Sequence, residues 1–119
     1  MSSNKVIPDE LKLTIVCRVE PGCLGPKGAE ILDEFCVVAQ AEFDRIHASF
    51  VKWQILPRLD KSLAEIQYLI SDRNLTRHQA DLYLVSFDET VDRVEDYIAE
   101  VVAFSVNLFL FDRAEQGRT

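Results

Sequence analysis

One stretch of the sequence combines residue types and spacing that could support chemistry. Pro21-Gly22-Cys23-Leu24-Gly25-Pro26-Lys27-Gly28 is rich in glycine and proline and leads into an amphipathic segment. Glycines let a backbone approach a ligand closely. The first turn of a helix presents free N–H groups at the positive end of its dipole. Lys27 adds a charge there, and Cys23 in such a place could carry a reactive thiolate. Gly22, Cys23, Gly25, Lys27 and Gly28 are therefore the candidate ligand-binding residues. The stretch matches neither the phosphate-loop pattern Gly-x-x-x-x-Gly-Lys-[Ser/Thr] nor the dinucleotide pattern Gly-x-Gly-x-x-Gly. Its plainer reading, and the favoured one, is a turn that reverses a strand into a crossing helix.

The other reactive residue types are sparse. The two histidines, His47 and His78, read as a residue just past a helix end and a residue in a first helical turn. Cys17 and Cys36 stand among apolar neighbours and read as small core residues. No Cys-x-x-Cys and no zinc spacing of Cys and His occurs. Asp88, Glu89, Asp92, Glu95, Asp96 and Glu100 form a dense acidic cluster. Four of these, Asp92, Glu95, Asp96 and Glu100, are helical neighbours that could touch a divalent ion, but a solvated helix face is the favoured reading. No spacing points to a Ser-His-Asp or paired-carboxylate set. No metal and no cofactor is expected, and no catalytic residue is assigned.

Charge narrows the partners. The chain has 119 residues, with 13 Lys and Arg against 20 Asp and Glu, a formal charge of −7. That sign repels nucleic acid and anionic membrane surfaces, and no basic face is evident. Met1 to Glu10 is polar and lacks the apolar core of a signal peptide. With an odd cysteine count, this points to reduced thiols in the cytoplasm. The longest nearly apolar run, Val101 to Phe111, is too short to span a bilayer.

These residues must be positioned by a small set of elements. The length suits one domain, residues 1–119, with residues 1–10 and 114–119 as loose ends. Leu11 to Val19 alternates with period two, a strand with one buried face. Lys27 to about Ile46 follows helical spacing through Ile31, Phe35, Val38, Ala39, Glu42, Phe43 and Ile46, with Pro26 suited to its first turn. Ser49 to Leu56 and Ser62 to Ser71 alternate again, and their short connection predicts an antiparallel hairpin. Phe50 is placed on its outer face. Thr76 to Phe87 fits strand or helix by periodicity. Thr76-Arg77-His78-Gln79 has the form of a capping box and decides for helix. A last helix is expected from Asp88, as N-cap, to about Phe111. Its second half is apolar nearly all round, which predicts burial on every side.

The expected fold is α+β: a three-stranded, mostly antiparallel sheet with helices on one face, in the order β-α-β-β-α-α. A strand at Ser105 to Phe111 would instead complete a ferredoxin-like βαββαβ order. Three strands cannot cover the apolar helix end and a half-apolar outer sheet face together. The first functional expectation is thus a noncatalytic interaction module, a homodimer using Val101, Phe104, Leu108 and Phe111. A basic protein partner would suit the charge, as in an antitoxin-like role. The alternative is a small-molecule binder or enzyme built on the Pro21–Gly28 loop, with Phe43, Trp53 and Tyr68 as lining aromatics.

Overall fold

In the computed structural model, which describes residues 7–116, the first alternating run becomes strand β1 (Leu13–Val19). Leu13, Ile15, Cys17 and Val19 enter the core from one face. Val16, on the other face, is only 3% exposed. Burial on both faces suits a central strand, and β1 is central. The remaining elements are α1 (Gly28–Phe43), β2 (Val51–Pro57), β3 (Ile66–Ile70), β4 (Arg73–Leu75), α2 (Arg77–Val85) and α3 (Val91–Gln116). The sheet has four strands in the order β2-β1-β3-β4.

The α+β class stands, and the details are corrected. The order is β-α-β-β-β-α-α, with four strands instead of three. The sheet is mixed: β1 pairs parallel with β2, and the β1–β3 and β3–β4 pairs are antiparallel. The expected hairpin between the second and third runs does not form, because β1 lies between them. Residues 58–65 carry the chain past one intervening strand, a gap of roughly 10 Å at ordinary strand spacing. Arg58 ties that crossing together, donating to the Lys61 and Leu63 carbonyls and pairing with Glu20. The real hairpin is β3–β4, turned by Ser71 and Asp72 at φ 50° and 65°. A two-residue turn with both φ positive matches strand twist. Neither residue is glycine, so the sequence gives this turn little warning. The ferredoxin-like alternative is excluded, since α3 runs unbroken through Ser105–Phe111.

Local signals of capping fare better. Thr76 Oγ1 accepts from the Gln79 N–H, and the Gln79 side chain accepts from the Thr76 N–H, a complete capping box for α2. The start of α3 is corrected from Asp88 to Thr90, whose hydroxyl accepts from the Arg93 N–H. Asp88 instead turns the chain at φ 62°, and Asp81 of α2 accepts from the Val91 N–H. Helix α1 is rotated from its expected stripe. Leu32 and Cys36 are buried with Phe35, Ala39 and Phe43, while Val38 is exposed. Pro26 precedes the N-cap residue Lys27 and is not in the first turn.

All three helices share one core with the inward face of the sheet. Phe50, expected on the outer face, is in that core, stacked on Phe87 at 4.5 Å. Trp53 packs on Phe43 and donates its indole N–H to the Ile46 carbonyl. The outer face carries a polar ladder beside its apolar residues, with Arg18 bonded to Gln67 and Gln67 to Asn74 across β1, β3 and β4. The β2 edge is closed by α1. The Gln40 amide donates to the Trp53 carbonyl and accepts from the Ile55 N–H, both at 2.8 Å. One side chain thus occupies the groups that an added strand would need. Pro57 at the end of β2 has no N–H to offer. Of the segments expected as loose, residues 1–6 and 117–119 lie outside the described residues. Asp9–Leu11 forms a 3-10 turn and residues 114–116 end α3. Among the described residues no helix is long and apolar enough to cross a membrane.

Candidate functional site

The Pro21–Gly28 stretch folds on itself. Pro21–Leu24 is a 3-10 turn that buries Leu24. Cys23 N–H bonds to Glu20 O, Gly25 N–H to Gly22 O and Gly28 N–H to Gly25 O, at 3.0–3.2 Å. Those three donors are therefore engaged within the stretch. Gly25 has φ 89°, a conformation that favours glycine. Gly28 is needed for close approach: a Cβ there would overlap the Pro21 carbonyl oxygen and stand 2.7 Å from its carbon. Gly22, Cys23, Gly25 and Lys27 are exposed. Lys27 is the N-cap of α1 but contributes no side-chain cap.

What the turn does bring to a concave site is Cys23. A groove of about 490 Å³ opens between α3, the end of β1 and the start of β3. Val19, Ile66, Ile98, Val102 and Val106 form its apolar lining. Ala99 and Ala103, one turn apart on α3, leave its outer wall low. Glu20, Glu65 and Glu95 contribute the carboxylates, with Cys23 also on the lining. Glu95 accepts from the Tyr68 hydroxyl at 2.8 Å and pairs with Arg77. Burial, then this hydrogen bond, raises the Tyr68 hydroxyl well above its ordinary pKa. Cys17 also lines the groove, but burial pushes its thiol up to about 12, and burial pushes Cys36 up to about 11. Both are inert core thiols by position, while Cys23 is exposed. Trp53 and Phe43, expected as ligand-lining aromatics, are core residues away from this groove.

The other flank of α3 differs. The expected burial on every side does not occur: Phe104 is 61% exposed, Leu108 44% and Phe111 61%. Val101 is half-buried and Tyr97 is exposed. The adjoining face of the helix fills the core with Val91, Val94, Ile98 and Phe109. Contacts of Phe35 with Phe109, Glu34 with Arg113 and His47 with Tyr97 run in opposite order along the two helices. Helices α1 and α3 are therefore antiparallel, and the exposed apolar stripe borders their seam.

A cluster not foreseen from the sequence sits at the end of α1. Glu89, expected in a solvated acidic face, is only 6% exposed. It accepts from Arg93 Nε at 2.7 Å and from the Thr90 N–H, and its other oxygen lies 2.9 Å from His47 Nε2. The His47 contact is not aligned along a ring N–H direction, and its buried Nε2 makes no hydrogen bond. His47 itself has φ 53° and stacks on Phe50. Burial alone would raise the Glu89 pKa, but the Thr90 N–H, Arg93 and His47 outweigh it and hold the carboxyl below its ordinary value. A depressed folded-state pKa stabilises above the unfolded pKa of about 4.3 and loses that stabilisation as pH falls through the folded value. Glu89→Gln is expected to lose about 1–3 kcal/mol at neutral pH. Urea midpoints measured against pH should show this difference shrinking in acid. A gap that stays constant down to the acid limb would remove Glu89 as its source.

The rest of the acidic cluster is exposed or half-buried. Asp92 and Glu95 hold Arg77. Among the described residues, no three His, Cys, Asp or Glu side chains stand together as a metal site. His78 is exposed at the second position of α2. Comparison of the chain with protein-family models, with curated proteins and with solved structures finds no match in any of the three.

Proposed function

We propose that this protein is a noncatalytic interaction module that self-associates through α3. The observation that carries this reading is the stripe Tyr97, Val101, Phe104, Leu108 and Phe111, exposed except at the half-buried Val101, which packs against the core. Its steps of four, three, four and three residues are those of a heptad seam. The spacing is also nearly palindromic about Phe104. In an antiparallel pair of α3 helices, Phe104 meets its own copy, Val101 meets Leu108 and Tyr97 meets Phe111. A two-fold interface requires this self-complementarity.

The shape supports it. The radius of gyration is 15.8 Å, against roughly 13–14 Å for a compact domain of this length. A 26-residue helix is about 39 Å long at ordinary rise. A seven-residue strand spans only about 23 Å, so the sheet alone does not cover it. The net charge of −7 keeps such an assembly soluble, and makes a basic protein the competing partner.

Light scattering behind a sizing column, over a wide concentration range, tests this. The wild-type chain is expected to be dimeric. Phe104→Asp, which alters an exposed position, is expected to be monomeric with unchanged circular dichroism. A wild type that stays monomeric at high micromolar concentration overturns the reading, as does a Phe104→Asp variant that remains dimeric.

A further inference from the structure

The groove on the opposite flank of α3 is independent of that stripe and has a ligand chemistry of its own. At about 490 Å³ it falls within the range of small-molecule sites. Its walls are aliphatic, with no aromatic side chain in the lining. That suits a flexible hydrocarbon chain better than a planar ring, which gains most by stacking. Its volume depends on Ala99 and Ala103, since larger side chains there would fill it.

The charges in the lining are mostly of one sign. Glu20, Glu65 and Glu95 are carboxylates. The guanidinium of Arg18, the remaining charged residue, is bonded to the Ala64 carbonyl at 2.7 Å and to Gln67 on the outer sheet face at 2.9 Å. Glu20 is paired with Arg58, and Glu95 with Arg77. Glu65 is exposed and has no ion pair among the described residues. A cationic head placed at this rim gains Glu65 as a partner, which an anionic head does not.

We propose that this groove binds an aliphatic amine, with its chain along Val102, Val106 and Ile66 and its ammonium group against Glu65. The Pro21–Leu24 turn adds Cys23 to the same lining, so occupancy should shield that thiol. Cys23 is the exposed cysteine of the three, and a thiol reagent reports on it selectively.

The test uses the full chain with n-octylammonium as probe and octanoate as its charge-reversed match. Calorimetry is expected to show octylammonium binding, weakened by added salt, with octanoate binding more weakly. Octylammonium should also slow labelling of Cys23 in step with occupancy. Glu65→Gln should weaken the amine about threefold, as expected for a partly exposed ion pair. Ala103→Leu should abolish binding by filling the groove, at little cost to an exposed helix position. Ala99→Leu is a second filling variant, should the first not fold. The proposal is overturned if neither probe binds, if octanoate binds as tightly as octylammonium, or if a folded filling variant binds unchanged.

Discussion

Gly28→Ala is expected to lower stability by about 3 kcal/mol, although it adds a single methyl group. The new Cβ would meet the carbonyl of Pro21, which is backbone and cannot swing aside, and would press on Leu24 Cβ at 3.3 Å. Relief requires moving the 3-10 turn away from the first turn of α1. That would disturb Leu24, which the turn buries in the core. Gly22→Ala, six residues earlier in the same stretch, has nothing within 4 Å of its new Cβ. It should stay within about 0.5 kcal/mol of wild type. Urea midpoints of the two variants, measured side by side, decide the matter. Equal effects would show that close packing at Gly28 is not what the glycine is for. The contrast also separates two roles that look alike in sequence, a glycine that frees a backbone and a glycine that makes room.

Phe35→Ala is expected to cost about 3–5 kcal/mol. Phe35 is fully buried and meets Phe109 edge-on at 5.5 Å. It joins the middle of α1 to the distal half of α3. Because native domains hold only about 5–15 kcal/mol in total, this variant should be close to unfolding at ordinary temperature. A double-mutant cycle with Phe109→Ala should show coupling of about 0.5–1.5 kcal/mol, beyond the loss of buried area. Additive single effects would mean that the two rings do not hold the helices together. Loss of this contact should also weaken self-association, since the exposed stripe is presented by a helix that Phe109 anchors.

Much of the local structure was legible. Period-two alternation located β1, β2 and β3, and the capping box at Thr76 chose helix over strand for α2. Both signals are written in neighbouring residues, so no distant contact is needed to read them. The short strand β4 was missed because three residues carry no measurable period, and its turn lacks glycine. Strand order is hidden from the sequence for a different reason. A brief connection between two alternating runs looks the same whether the runs pair or stand either side of a third strand. Only the crossing of residues 58–65 past β1 distinguishes them.

The candidate sites divide in the same way. The sequence by itself determined that this is an acidic α+β chain whose last helix carries more apolar surface than one face needs. Of the four residues it offered as an interface, Phe104, Leu108 and Phe111 stay exposed and Val101 packs against the core. Which apolar residues face the core was settled by tertiary structure, because a helix that is apolar all round has no periodic signal to orient it. Packing of α1 against one side of α3 buried Phe109 and left Phe104 and Phe111 in solvent. The same packing carried Glu89 out of a solvated acidic run and into contact with His47, 42 positions earlier in the chain. Burial of a charge depends on partners that sequence spacing does not reveal. The groove beside Cys23 likewise exists only where the ends of β1 and β3 meet two alanines of α3.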